Sequence, residues 1–189
     1  PWPLPRSTTQ IGRDASELDR AMIELAKDLY VQEARTRFFG LRIATRMTVM
    51  RLAGGRLMLH SPIRLTARVR SNLDLLGEVA FLVFPNKFHD QFAEQYQRAY
   101  PRARSFAAPG LPERRPELRF DGVLGDRPDP AWQAEIDQAA IAGNPFFREI
   151  VFLHRASRTL VVADLVTNFD VQTASLFGRT LARAVGIGR

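Results

Sequence analysis

Five polar side chains crowd into a short turn near the middle of the chain: Asn86, Lys87, His89, Asp90 and Gln91. Together they offer amide, ammonium, imidazole and carboxylate groups, which can hold a substrate, move a proton or ligate a metal ion. The apolar run before them, Val79 to Phe84, is typical of a strand buried on both faces, and Pro85 ends it. Because open α/β sheets bind ligands beyond the carboxyl ends of their strands, we expect any functional site at this turn.

The candidate residues differ between an acid–base site and a metal site. For proton transfer, Asp90 and Asp164 could serve as acid and base, with His89 nearby. For a metal ion, the weak candidates are His89, Asp90, Asp164, His60 and His154. The competing interpretation is structural: His60 hydrogen-bonds a neighbouring turn, His89 caps a helix, and His154 bonds across a hairpin. We favour this interpretation and assign no catalytic residue.

Strands and helices alternate around these residues, which indicates α/β layering. The amino-terminal half predicts a helix from Asp14 with Leu18, Met22, Leu25 and Ala26 on one face, and strands between Leu29 and His60 around a turn at 53–55. It then predicts a helix over Leu65–Leu76, capped by Thr66 and stopped by Gly77, and the strand Val79–Phe84. The other half predicts a helix from His89 to Tyr100, a strand over Arg104–Ala108 and a short basic helix at 113–118. It ends in a predicted hairpin of Glu149–Leu153 with Thr159–Leu165, followed by an amphipathic helix over Leu176–Val185. Residues 132–140 fit a helix or a strand.

Composition narrows the class of protein further. A chain of 189 residues with 46% hydrophobic residues can form one domain with a substantial core. It has no cysteine, which excludes disulfides and thiolate metal sites. No apolar run reaches the roughly 20 residues of a membrane span, and the proline-rich start lacks the order of a signal peptide. We therefore predict a cytoplasmic protein without a transmembrane segment.

The positive charge is almost entirely arginine. The net charge is +7, and Lys27 and Lys87 are the only lysines among 27 basic residues. These arginines are spread along the chain without a dense run or interleaved aromatic residues, which disfavours nucleic acid as a partner.

A set of motifs resembles a known family when its members are taken together. They are Leu59-His60-Ser61-Pro62, Pro85-Asn86-Lys87-Phe88-His89, Pro101-Arg102-Ala103, Pro109-Gly110-Leu111, Arg119 to Asp126, and His154 to Leu160 followed by Asp164-Leu165. The family is an uncharacterised domain-of-unknown-function family related to the metallo-β-lactamase-like hydrolases. The resemblance implies a four-layer αββα sandwich over residues 22–189, shortened at its carboxyl end. Residues 1–21 would form an extended tail and the start of the first helix.

The active hydrolases of that superfamily carry His-x-His-x-Asp-His after a strand, and those side chains hold two metal ions, usually zinc. On this sequence the three histidine positions fall on Asn86, Phe88 and Gln91, and only Asp90 matches. Asp164 matches the bridging aspartate, and the final histidine has no counterpart. His89, one position out of register, is expected to point away from the site. The resemblance therefore implies a degenerate metal site with no cofactor, and zinc is the alternative.

The favoured hypothesis is a non-catalytic binding or structural subunit of a protein assembly. Its partner, or a second copy of the chain, would be contacted through Trp2 and Leu4 in the tail and through the helix at 176–185. The alternative is a metal-dependent hydrolase with a reduced site at Asp90 and Asp164, and a metal-free hydrolase there is also open.

Overall fold

The computed structural model describes residues 21–38, 41–144 and 147–166. Ten strands lie in these ranges: β1 (Ile23–Ala26), β2 (Leu29–Phe38), β3 (Leu41–Leu52), β4 (Arg56–His60), β5 (Glu78–Phe84), β6 (Arg104–Ala107), β7 (Gly122–Val123), β8 (Ile136–Asn144), β9 (Phe147–His154) and β10 (Thr159–Val161). The α-helices are α1 (Ala67–Leu76), α2 (Ala93–Ala99) and α3 (Leu111–Arg114). Within the described ranges, none of the helices has the length and apolar character needed to cross a lipid bilayer.

The strands form two sheets. The larger contains β1 to β7 in chain order, and the smaller contains β10, β9 and β8 in that order. Pairing in the larger sheet is antiparallel from β1 to β4 and parallel from β4 to β7. Because β4, β5 and β6 run in the same direction, their carboxyl ends meet at one edge of the sheet. The loops that follow these strands are therefore close in space.

Alternate residues of β4 and β5 send their side chains to opposite faces of the larger sheet. On one face, Leu59 and Leu82 pack with Leu73 of α1 and Tyr96 of α2. On the other, a second apolar cluster joins the two sheets, with Met58, Phe81 and Val83 on the larger sheet and Ile150, Phe152 and Val161 on the smaller. The order of layers is therefore helices, larger sheet and smaller sheet. The apolar cluster between the two sheets lies next to the carboxyl end of β4.

The sequence signals for α1 act as predicted. The Thr66 side chain accepts a hydrogen bond from the Val69 N–H at 3.2 Å, which satisfies one of the free donors of the first turn. At the other end the Gly77 N–H donates to the Leu73 carbonyl at 3.1 Å. A Cβ at Gly77 would lie 2.0 Å from the Gly55 carbonyl oxygen, so the helix ends at a residue that only glycine can occupy.

The predicted first helix is wrong where the structure describes it. Residues from Ile23 to Ala26 form β1, which pairs with β2 through a two-residue turn at Lys27 and Asp28. Asp28 has a φ of 64°, a left-handed conformation that aspartate tolerates in tight hairpins. The free edge of β2 supplies hydrogen-bond partners that outweigh the helical spacing of the apolar residues. The tail at 1–13 and the predicted helix at 176–185 lie outside the described residues.

Four other predicted segments differ from the structure in their bounds or their type. The helix expected from His89 begins only at Ala93, because residues 87–92 form turns. The basic helix expected at 113–118 is instead α3, which starts after Gly110 with Pro112 in its first turn. The ambiguous residues 132–140 end in strand β8, and β10 ends at Val161, before Asp164. The other predicted strands and α1 are confirmed.

Candidate functional site

Four polar residues from three separate loops meet at the carboxyl edge of the parallel strands. Ser61 follows β4, Asn86 and His89 follow β5, and Asp164 comes from the loop after β10. A backbone hydrogen bond of 2.9 Å from the Ile150 N–H to the Pro85 carbonyl ties the smaller sheet to this turn. The predicted position of the site, at the turn after the central strand, therefore holds a connected polar cluster.

His89 stands at the centre of this cluster. Its Nε2 lies 3.0 Å from Asp164 Oδ2, and its Nδ1 is in hydrogen-bond contact with Ser61 Oγ. The expectation that His89 points away from the site is wrong. That expectation rested on the position of His89 in the motif, one residue out of register. Residues 87–92 form turns, in which a shift of one position does not fix the direction of a side chain.

Asn86 closes the cluster on its other side. Its Nδ2 donates to Asp164 Oδ2 at 2.9 Å and lies 3.4 Å from Glu149 Oε2, while its Oδ1 accepts the Phe88 N–H at 2.9 Å. Two carboxylates can only accept and a backbone N–H can only donate, so this amide orientation follows from its neighbours. The Asn86 side chain therefore presents N–H groups, not a ligating oxygen, to both acids.

Glu149 holds the loop that presents Asp164. Its side chain is fully buried, and its two oxygens accept the backbone N–H groups of Ala163 at 2.7 Å, Asp164 at 2.7 Å and Leu165 at 3.2 Å. A buried carboxylate is stable only when such donors surround it. Sequence reasoning did not select Glu149, although an acidic residue within an apolar strand was a signal that could have found it.

Asp164 is held in its charged form. Burial alone would raise the pKa of its carboxyl, but the hydrogen bonds from His89 and Asn86 together with the nearby imidazoles hold that pKa below the usual value of 3.8. Asp164 is therefore a carboxylate at neutral pH, and its side chain keeps 41% of its surface exposed. The cluster reaches solvent on this side.

His60 lies beneath the cluster, in the layer between the two sheets. Its ring meets Phe152 edge-on at 5.5 Å between centroids, and the residue is only 1% exposed. Among the described residues, its Nε2 has no hydrogen-bond partner. Burial and the neighbouring His89 lower the pKa of His60 to about 3, so the ring is neutral.

Asp90 belongs to a different group of contacts from Asp164. Its carboxylate forms ion pairs with the guanidinium groups of both Arg114 and Arg115, and its side chain is 6% exposed. These two ion pairs use the lone pairs of the carboxylate and tie the turn after β5 to α3. The structure therefore joins His89 to Asp164 but does not join Asp90 to them.

His154 also lies apart from the cluster. Its Nδ1 is 2.7 Å from Ser157 Oγ within the β9–β10 turn, which matches the structural role expected for it. Burial lowers the pKa of His154, although Asp28 and Glu135 oppose the shift. Over the described ranges, no group of three or more His, Cys, Asp and Glu side chains is arranged to hold a metal ion.

The family comparison agrees with the motifs that suggested it. Residues 27–184 match the family described as Domain of unknown function (DUF4336). The chain belongs to this family. No curated protein sequence matches the chain.

Metallo-β-lactamases are among the solved structures with the same architecture. DIM-1 metallo-β-lactamase exposed to ceftazidime has a TM-score of 0.65 and 12% identity, over 81% of this chain and 73% of the enzyme. The enzyme from Pontibacter korlensis has a TM-score of 0.62 and 11% identity, over 87% of this chain and 85% of the enzyme. The enzyme from Hirschia baltica has a TM-score of 0.58 and 13% identity, over 74% and 68%.

At these identities the likeness shows the fold alone. The predicted fold class, α/β with the metallo-β-lactamase-like arrangement, is confirmed. The fold suggests a zinc centre at the turn after β5. Asn86 there turns N–H donors toward Asp164 and Glu149, and Phe88 has no donor atom for a metal. These residues do not fit a dinuclear zinc centre.

Proposed function

We propose that this DUF4336 protein is a metal-site-deficient member of the metallo-β-lactamase fold that serves as a binding or structural subunit of a protein assembly. The observation that carries the proposal is the hydrogen bond of 2.9 Å from the Asn86 amide to Asp164. Asp164 Oδ2 receives N–H groups from both Asn86 and His89, so this oxygen directs its lone pairs to the protein instead of to a cation.

The hydrogen-bonded cluster also supports a structural role. Asn86, in the turn after β5 of the larger sheet, contacts Glu149 of β9 in the smaller sheet and Asp164 in the loop after β10. Charged hydrogen bonds of this kind stabilise a fold by about 1.5–3 kcal/mol each. The cluster therefore connects the two sheets at the edge where a metal-dependent relative would place its ions.

The alternative, a metal-dependent hydrolase at Asp90 and Asp164, has less support. Arg114 and Arg115 occupy the Asp90 carboxylate, so it is poorly suited to exchange a proton or bind zinc. Zinc bound without Asp90 would have to displace the Asn86 and His89 contacts to Asp164.

Metal analysis of the full chain tests the proposal. We expect only substoichiometric zinc, iron or manganese after incubation with each metal and dialysis, and a zinc-loaded metallo-β-lactamase treated in parallel should retain its metal. The Asn86→His variant is the matched comparison, because it replaces the amide donor with a ligand, and we expect it to retain more zinc than the natural chain. Stoichiometric metal in the natural chain would contradict the proposal.

The partner surfaces stay a proposal, because Trp2, Leu4 and the predicted helix at 176–185 lie outside the described residues. Exposed apolar side chains on the smaller sheet and in the loop after it, Ile141, Leu160 and Val166, support contact with another protein. A cytoplasmic location stays a prediction, as does the absence of a nucleic-acid partner.

Light scattering after size-exclusion chromatography tests the assembly. We expect the full chain to elute with a mass above that of one copy, and we expect removal of residues 1–13 to lower the mass and the melting temperature. The physical reason is that the prolines around Trp2 and Leu4 favour an extended chain, from which such side chains can dock with little loss of entropy. A monomer whose melting temperature is unchanged by the truncation would count against this prediction.

A further inference from the structure

We propose that Ser61 is a nucleophile that accepts an acyl group from a small activated ester, with His89 as its base and Asp164 orienting His89. This goes beyond the proposed function, because a binding or structural subunit needs no reactive serine. One chain can have both the binding role and the reactive serine, because a serine that is acylated and then deacylated slowly holds its ligand covalently.

The backbone fixes Ser61 at a sharp turn. The residue follows β4 directly, and its N–H donates to the Val83 carbonyl at 2.9 Å. Its φ is 58°, a left-handed conformation that is uncommon for serine and that the surrounding structure must hold. A serine on a strained turn between a parallel strand and a helix resembles, in placement, the nucleophile turn of unrelated hydrolases.

The hydrogen bonds determine which nitrogen of His89 is free to accept a proton. Asp164 is ionised and can only accept, so His89 Nε2, at 3.0 Å from Oδ2, carries the ring proton. When the His89 ring is neutral, its Nδ1 then carries an unshared electron pair, and this pair faces Ser61 Oγ. The serine hydroxyl therefore donates to Nδ1, as an attacking serine does to its base.

The elements around Asp164 keep this arrangement in place. Glu149 accepts the Asp164 N–H, and Asn86 donates to the Asp164 carboxylate. Asp164 thus has little freedom to turn away from His89. It acts on the reaction only through His89, so it is a positioning residue.

The step balances without a metal ion. Ser61 Oγ attacks the carbonyl carbon of the ester while its proton passes to His89 Nδ1. The alcohol leaves as the C–O bond breaks, and it takes that proton from His89. Water then attacks the acyl-serine, gives a proton to His89, and releases the carboxylic acid as the proton returns to Oγ.

Two features limit the substrate and the rate. Ser61 is 3% exposed, so only a small acyl donor can reach its oxygen. Pro62 follows it and has no N–H, so the residue after the nucleophile cannot stabilise the oxyanion. The loss of one such donor costs about 10²–10³-fold in rate, and we therefore expect slow acyl transfer.

Covalent labelling of the full chain tests the proposal. The probe is a small alkyl fluorophosphonate, which bonds to an activated serine as fluoride leaves. We expect a single adduct by intact mass spectrometry, mapped to Ser61, and no adduct on the folded Ser61→Ala variant. His89→Gln should slow labelling by about 10²-fold, the lower range for loss of a general base. Asp164→Asn should also slow labelling, and Asp164→Glu should restore part of the rate.

Ser157 provides a matched control within the same chain. It also contacts a histidine, with 2.7 Å between its Oγ and His154 Nδ1, but no described carboxylate is hydrogen-bonded to that histidine. Ser157→Ala should label at the rate of the natural chain. Circular dichroism on each variant separates loss of the nucleophile from loss of the fold. An unlabelled Ser61 in the folded natural chain, or an unchanged rate in folded His89→Gln, would overturn the proposal.

Discussion

Glu149→Ala should lower the free energy of unfolding by about 3 kcal/mol or more, because it leaves three backbone N–H groups without their acceptor. For a chain of this size, 1 kcal/mol corresponds to about 2–4 °C, so a fall of roughly 10 °C in melting temperature is expected. The loss comes from the loop that carries Asp164, whose N–H groups must find water instead. Urea denaturation and thermal melting at pH 7 measure the change.

Two further variants show whether the loss comes from the buried contacts. Glu149→Gln keeps one accepting oxygen but places an amide N–H₂ close to other donors, so an intermediate loss is expected. Glu94→Ala is the control for charge alone, because Glu94 is exposed and forms an ion pair with Arg98 one helical turn away. That exposed pair should contribute less than about 1 kcal/mol. A loss in Glu149→Ala no larger than in Glu94→Ala would contradict the role assigned to Glu149.

Local signals in the sequence were sufficient for the middle of the fold. The run from Val79 to Phe84 is apolar on both faces because β5 lies between two parallel neighbours and between two layers. Thr66 and Gly77 predicted the ends of α1 because capping depends on a few neighbouring atoms. Features of this kind are fixed within a few residues, so a sequence without a structure reveals them.

The first strand, β1, could not be predicted from local signals in the same way. Leu18, Met22 and Leu25 have helical spacing, but the preference of a short segment is small compared with a free sheet edge that offers backbone hydrogen bonds. β1 forms because β2 is present, and that information lies in the tertiary structure. The turn that joins them contains Asp28 in place of the glycine that would have signalled a hairpin.

The site was predicted only in part for a similar reason. The sequence selected Asp164 and His89, and the structure brings them together at 3.0 Å. The sequence selected Asp90 as well. The two arginines that form ion pairs with Asp90 follow it by more than twenty residues, so no local pattern in the sequence indicates these pairs. The sequence indicated Ser61 only as part of a motif, because a serine after a strand suggests a nucleophile only when a base is known to lie beside it.

The second large effect concerns His60 and pH. Its pKa is about 3 in the folded protein, lowered by burial and by His89, against 6.5 for the free side chain. Below pH 6.5 the His60 side chain therefore binds a proton in the unfolded chain but not in the folded chain. Stability should fall as the pH falls from 6.5 toward 3, by up to about 1.4 kcal/mol per pH unit from this residue.

His60→Phe should remove this part of the pH dependence, because phenylalanine can keep the edge-on contact with Phe152 but cannot take up a proton. Urea denaturation between pH 7 and 4.5 measures the slope, and this window avoids most of the titration of Asp164, whose pKa lies below 3.8. A packing change that is equal at every pH does not alter the slope. His154→Gln is the comparison, since the carboxylates of Asp28 and Glu135 oppose the lowering of the His154 pKa, and a smaller change is expected there. Equal slopes in the natural chain and in His60→Phe would show that His60 is not kept neutral by the fold.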